Sequence, residues 1–258
     1  MAMNADNQSS PDGLARAPHA QGGSFDTTHW SVVLRAGRET STECAAALEY
    51  LCRSYWYPLY AFCRRHGHSP PDAEDLTQHF FGTFLVKGSF SAAAPERGRF
   101  RNFLLASFKN FLTNDHHRRM TMKRGGRMAF LSLDDTDVET HYRNGLANLA
   151  TPEHAYDHAW ALTLLDKVMR DLKTEHETAG KLALFERLQV FLTGDQGDVT
   201  YEHLGGEMGV TESAIKMAVM RLRQRYGQRL RQEIAHTLND PAAVEDELRH
   251  LVIALARQ

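Results

Sequence analysis

Cysteine is scarce in this sequence. The 258 residues include three cysteines, Cys44, Cys52 and Cys63, whose spacing matches no zinc-ligand pattern. An odd and small number of cysteines argues against a secreted domain stabilised by disulfides. We therefore expect a reducing compartment and a cytoplasmic protein, with no metal and no cofactor.

Long apolar runs and strand patterns are also lacking. No apolar stretch approaches the roughly 20 residues that a membrane-spanning helix needs, and the N-terminus has no apolar signal-peptide block. We expect no membrane partner. Apolar residues nevertheless make up 42% of the chain, enough for a packed core, and their spacing is helical almost throughout. The sequence predicts an all-α protein, made of two small helical domains joined by a flexible linker.

Changes in composition along the chain predict its domain organisation. We expect a disordered tail over 1–24 and a first helical domain over 25–127. An acidic linker follows over 128–151, and a second helical domain covers 152–237. The remaining residues, 238–258, form an extra C-terminal helix.

The second domain contains the pattern of a helix-turn-helix. Its first helix begins at Tyr201, and Gly209 supplies a residue that can leave that helix with positive φ. Thr211 is placed to cap the next helix. Small residues at Gly205 and Ala214 would let the two helices approach closely. The second helix has an inward face of Ala214, Ile215, Val219 and Leu222, and carries the cations Lys216, Arg221, Arg223, Arg225, Arg229 and Arg231. A basic helix behind a tight turn is typical of major-groove binding.

A second basic region lies in the first domain. Nine cations face one acid, Asp115: Arg97, Arg99, Arg101, Lys109, Arg118, Arg119, Lys123, Arg124 and Arg127. Aromatic residues are interleaved with them, and Phe100 and Phe103 are the ones we expect to be exposed. Cations with aromatic side chains between them favour binding of single-stranded DNA, through phosphate contacts and base stacking.

A helix with a sharp start precedes this region. Negative charge at Asp72 and Asp75 follows a proline pair, in the first turn where the helix dipole favours it. Leu76, Phe80 and Phe84 form its apolar stripe, with Asp75 and Gln78 on the other side. Phe81 and Leu85 fall beside Gln78, where they would be either partner contacts or the edge of a wide core face.

The C-terminal helix begins near Asp240, which can cap it, and Pro241. Its apolar residues recur at helical spacing: Val244, Leu248, Leu251 and Leu255. Such a stripe has to be covered, and we expect it to lie against the second domain.

Three stretches, in this order, resemble a bacterial RNA polymerase sigma factor of the extracytoplasmic-function group. They are Asp72-Ala73-Glu74-Asp75-Leu76-Thr77-Gln78, Phe100-Arg101-Asn102-Phe103-Leu104 with Asn110, and Thr211-Glu212-Ser213-Ala214-Ile215-Lys216 with Arg221-Leu222-Arg223. The resemblance covers about 27–237. It implies a non-enzymatic protein that binds core RNA polymerase, recognises promoter DNA and helps to melt it, with an anti-sigma factor as an optional further partner.

The resemblance also implies roles for individual positions. Core polymerase would be bound by Asp72, Asp75, Gln78, Phe81 and Leu85. The minus-ten element would be bound and melted by Arg97, Arg99, Arg101, Asn102, Phe103, Lys109, Asn110, Arg118 and Arg119. The minus-thirty-five element would be read by Ser213, Lys216, Met217, Met220, Arg221, Arg223 and Arg225. The family often has tryptophan where Phe103 stands and histidine where Met220 stands, so its base preference does not carry over.

Two other functions compete with this interpretation. Asp115-His116-His117 resembles a phosphoesterase motif, and His154 and His158 have the i, i+4 spacing of metal ligands, which favours a metal-dependent hydrolase. A stand-alone helix-turn-helix regulator would need only the second domain. It would leave the helix at Asp72 and the second basic region, in the first domain, without a role.

Overall fold

The computed structural model describes residues 42–86, 99–121, 138–146, 149–194, 197, 199–238 and 240–256. Every regular element in these ranges is a helix, so the all-α prediction is confirmed. The predicted tail over 1–24 and the start of the first domain lie outside the described residues.

Ten α-helices and two short helical turns follow one another along the described chain. They are α1 (Thr42–Arg65), α2 (Pro70–Val86), α3 (Phe100–Thr121), α4 (Val138–His141), a π-helical turn (Tyr142–Leu146), α5 (Pro152–Thr178), α6 (Leu182–Leu188), α7 (Val190–Thr193), α8 (Tyr201–Met208), α9 (Glu212–His236), a 3₁₀ turn (Pro241–Ala243) and α10 (Val244–Ala256).

The central element is α5, which contacts α1, α9 and α10. It starts where the sequence provides a cap, because the Thr151 hydroxyl accepts a hydrogen bond from the His154 N–H and Pro152 occupies the first turn. Its inward residues Trp160, Leu164 and Val168 are buried. Burying a side chain of this kind stabilises a fold by roughly 1.5–3 kcal/mol.

Helices of both predicted domains contribute to one apolar cluster. Tyr55 and Leu59 of α1 belong to it together with Trp160 of α5 and Ile234 of α9. A polar contact joins the same helices, since the Tyr50 hydroxyl donates a 2.5 Å hydrogen bond to Glu233. The division into two domains remains a prediction, and in this arrangement the two sets of helices share their buried surface.

Part of the predicted linker is helical. Residues 138–146 form α4 and the π-helical turn, and Tyr142, Leu146 and Leu149 are buried. Glu139 holds this segment against α1: it accepts hydrogen bonds from Arg64 Nε at 2.9 Å and from the Tyr60 hydroxyl at 2.6 Å. Sequence periodicity missed the segment because it is short and its anchors are distant in sequence.

The same contacts make the contribution of Glu139 to stability depend on pH. Hydrogen bonding from Arg64 lowers the pKa of Glu139 from 4.5 to about 2. A carboxylate with a lowered pKa stabilises the folded chain at neutral pH. That contribution is lost as the pH falls from 4.5 towards about 2.

The connection between α8 and α9 follows the sequence prediction closely. Gly209 ends α8 with φ of 68°, and the Thr211 hydroxyl accepts a hydrogen bond from the Ala214 N–H at 3.2 Å. Gly205 is the point of closest approach, because a Cβ built there would lie 2.9 Å from the carbonyl oxygen of Val210. The C-terminal α10 lies against α5 and α9, with Leu251 buried.

This close approach predicts opposite effects for two adjacent glycines of α8. Gly205→Ala should destabilise the fold by about 1–3 kcal/mol, since its new methyl group meets backbone that cannot move aside easily. Gly206→Ala places its methyl group in open space and should stabilise the helix by roughly 0.5–1 kcal/mol. Urea denaturation of the two variants measures both values. Equal effects would contradict the described contact between α8 and the turn.

Candidate nucleic-acid interface

The outward face of α9 carries four of the residues predicted to read DNA. Ser213, Met217, Met220 and Arg221 are all exposed, and the two methionines are 43% and 44% exposed. The opposite face, from Ile215 onwards, is buried against the rest of the chain. Ala214, predicted to face inward, is exposed in the first turn of the helix. These four predicted minus-thirty-five residues are therefore brought together on one accessible face of the first half of α9.

The other cations of α9 are held by partners within the chain. Lys216 lies 2.6 Å from Glu212 and over the ring of Tyr201. Arg223 Nη2 donates to the Phe191 carbonyl oxygen at 2.9 Å.

Farther along α9, a single acid of α5 holds two cations. Glu175 accepts hydrogen bonds from Arg229 at 2.9 Å and from Arg225 at 3.0 Å. The hydrogen bond from Arg229 lowers the pKa of Glu175, with Arg225 contributing. Sequence reasoning gave Arg225 a DNA-binding role because Glu175 lies 50 residues away and leaves no local signal.

Arg101 was predicted to bind DNA phosphates, and the described arrangement contradicts this. Its side chain is 4% exposed, and it donates hydrogen bonds to Glu247 of α10 at 2.6 Å and to Asp157 of α5 at 2.5 Å. Arg99 pairs with the second oxygen of Glu247 at 2.8 Å. The guanidinium of Arg101 also lies 5.1 Å from the centre of the Trp160 ring. Arg101 therefore joins three helices inside the protein.

The two aromatic residues of α3 that we expected to be exposed are less exposed than predicted. Phe100 is buried, with its ring edge against Tyr55, because the first turn of α3 faces the core. Phe103 is half-buried beside Phe84.

Three other residues of α3 predicted to bind DNA are accessible. Asn102 and Asn110 are exposed, and Lys109 is exposed but paired with Glu153 at 2.5 Å. Arg97 lies outside the described residues, as do the side chains of Arg118 and Arg119.

The outward side of α2 is polar. Asp72 and Asp75 are exposed and Gln78 is half-buried. The Ser69 hydroxyl accepts a hydrogen bond from the Asp72 N–H at 3.3 Å, and so marks the helix start. Phe81 is 3% exposed and its ring packs against Phe80, so it belongs to the core face, and the polymerase contact implied by the resemblance is wrong for this residue. The side chain of Leu85 lies outside the described residues.

The candidate metal ligands are scattered. Asp115 is buried with its carboxylate 3.7 Å from His79, and His116 is exposed. His154 and His158 are half-buried on α5, and burial lowers the pKa of His158. Within the described ranges, no three His, Cys, Asp or Glu side chains are grouped so that they could hold a metal ion.

Comparisons with protein-family models, with curated proteins and with solved structures find no match for this chain. In the part of the chain that the structure describes, no helix combines the length and the apolar character needed to cross a bilayer.

The buried ion pair of Arg101 predicts a large effect of removing its partner. Glu247→Gln leaves Asp157 as the one carboxylate paired with the buried Arg101 among the described residues and removes the partner of Arg99, and should lower the free energy of unfolding by about 1.5–3 kcal/mol. Glu245→Gln is the matched control on the same helix, since Glu245 is 61% exposed where it pairs with Arg231. Removing the charge of Glu245 should lower the free energy of unfolding by at most about 1 kcal/mol. Equal decreases in the free energy of unfolding of the two variants, measured by urea denaturation, would contradict the structural role of Arg101.

Proposed function

We propose that the chain is a bacterial sigma factor of the extracytoplasmic-function group, which binds core RNA polymerase, recognises promoter DNA and helps to melt it. The observation that carries this proposal is the exposed first half of α9. There Ser213, Met217, Met220 and Arg221 project together behind a capped, tight turn. The proposed activity involves no catalytic step and no cofactor.

The geometry of α9 supports recognition of duplex DNA. The N-terminal residues of a recognition helix are those that reach base edges in the major groove. On α9 these residues include an exposed arginine at Arg221, which can make a bidentate contact with guanine. The later cations Arg225, Arg229 and Arg231 are paired with Glu175 and Glu245. Contact with DNA is therefore concentrated at the start of the helix.

The polar side of α2 supports binding of core polymerase. Asp75 is exposed on a helix whose other face is filled by Leu76, Phe80 and Phe84, so the fold itself does not use it. The three stretches that resemble the sigma-factor family also occur in the expected order along the chain.

A stand-alone helix-turn-helix regulator is the second candidate, and the burial of Phe100 and Arg101 favours it. Both residues belong to the stretch expected to melt promoter DNA. With them inside the protein, Asn102, Lys109 and Asn110 are the exposed members of the predicted minus-ten set in the described part of α3. Polymerase binding separates the two candidates.

Charge reversal at Asp75 tests the polymerase-binding surface. Asp75→Arg should weaken binding to core RNA polymerase at least tenfold. The variant places a cation where the interface accommodates an acid, and juxtaposed like charges cost several kcal/mol. Glu177→Arg, at an exposed acid near the end of α5, is the matched control and should bind normally. Fluorescence anisotropy with labelled chain gives both affinities. Unchanged affinity for a folded Asp75→Arg variant would remove α2 from the interface.

Two arginines of α9 should behave differently when truncated. Arg221→Ala should reduce discrimination between the preferred minus-thirty-five element and a scrambled one by about 1–3 kcal/mol, since it removes a base contact. Arg229→Ala removes an ion pair with Glu175 and should leave that discrimination unchanged. Binding of both duplexes at several salt concentrations measures the difference. Equal losses on both sequences for Arg221→Ala would show that Arg221 contacts only phosphates.

A further inference from the structure

Two methionines occupy the middle of the exposed face of α9. Met217 and Met220 are 43% and 44% exposed, and both point away from the buried residues of that helix. Exposed methionines are adaptable apolar groups that can contact a partner. More than two-fifths of each methionine is accessible.

Their immediate neighbours are polar. In an α-helix, residues spaced by three, four and seven positions share a face. Ser213, Arg221 and Gln224 therefore lie on the same face as the two methionines, and all three are exposed. The two methionines therefore lie among side chains that can form hydrogen bonds, and do not form one continuous apolar patch.

This alternation fits the major groove of DNA. Each base pair presents donors and acceptors there, and thymine alone adds a C5 methyl group, which apolar side chains contact. We infer that Met217 and Met220 select thymine by contact with this methyl group, beside a base pair that Arg221 reads by hydrogen bonding. The inference rests on the proposed function and adds the kind of base that the α9 face recognises.

The spacing of the side chains fits neighbouring base pairs. Met217 and Arg221 are four residues apart, which is about 6 Å along the helix axis. Successive base pairs are about 3.4 Å apart. The two side chains therefore reach positions about two base pairs apart, and Met220 lies between them. The preferred element should contain thymine within about two base pairs of a guanine.

A protein partner is the competing explanation, because exposed methionines also form adaptable protein-binding surfaces. The charges of this face favour DNA. The one acid of the first turn, Glu212, is already paired with Lys216 at 2.6 Å. Arg221 has no ion pair among the described residues, so the face presents a net positive charge to its partner.

The experiment begins with selection of preferred sequences from random duplex DNA, using the full chain with and without bacterial core RNA polymerase. Each thymine of the selected element is then replaced by deoxyuridine, which removes only the methyl group. Replacement at a contacted position should weaken binding about fourfold, the effect expected for one buried methyl group. The Met220→Ala or Met217→Ala variant should bind the thymine and deoxyuridine duplexes equally at that position.

Met208→Ala is the matched control, since Met208 is 37% exposed but lies at the end of α8. It should keep the full sensitivity to deoxyuridine. A selected element that is insensitive to every replacement would overturn the inference and leave the proposed function standing. So would methionine variants that bind DNA normally but lose core polymerase, which would indicate a protein interface. Enrichment of no sequence under either condition would overturn both the inference and the proposed function.

Discussion

The ion pair between Arg101 and Glu247 joins residues 146 positions apart, at side-chain exposures of 4% and 1%. It connects the start of α3 to α10, and Asp157 extends it to α5. Each of these charges would be costly to bury alone, because the interior of a protein solvates ions poorly. Their geometry therefore requires the three helices to be together, and the apolar contacts of α5 with α1, α9 and α10 form around the same centre. The position of α9, and with it the candidate DNA-reading face, depends on this arrangement.

Local features of the fold could be read from the sequence. Gly209 and Thr211 have strong conformational preferences of their own, and the structure uses both as expected. The helical spacing of Ile215, Val219 and Leu222 likewise identified the buried face of α9. These features depend on residues that are close in the sequence, so they can be predicted without knowledge of the tertiary structure.

Partners distant in sequence could not be read in this way. Arg101 lies in a basic stretch, and arginine is a residue type usually found at the surface. Its contacts with Glu247 and Asp157 explain why it is buried. Arg225 was assigned to DNA for the same reason, although Glu175 holds it. Periodicity indicates that a face is apolar or charged, but does not identify the element that covers it.

These pairings change the electrostatics of the proposed DNA-binding helix. The sequence of α9 shows cations from Lys216 to Arg231, but Glu175 pairs with both Arg225 and Arg229, and Glu245 pairs with Arg231. Positive charge available to a partner is therefore concentrated near Arg221. A site with few free cations depends more on base contacts than on phosphate contacts, so its salt dependence should be shallow for a DNA-binding protein.

The most direct test of the proposed function is transcription by core RNA polymerase with the purified full-length chain added, on fragments of the source genome. The chain should make the polymerase initiate at a small number of defined sites. Permanganate footprinting should detect melted thymines there only when the chain is present. A chain that binds duplex DNA specifically, but neither binds the polymerase nor directs initiation, would contradict the proposal and identify a stand-alone regulator.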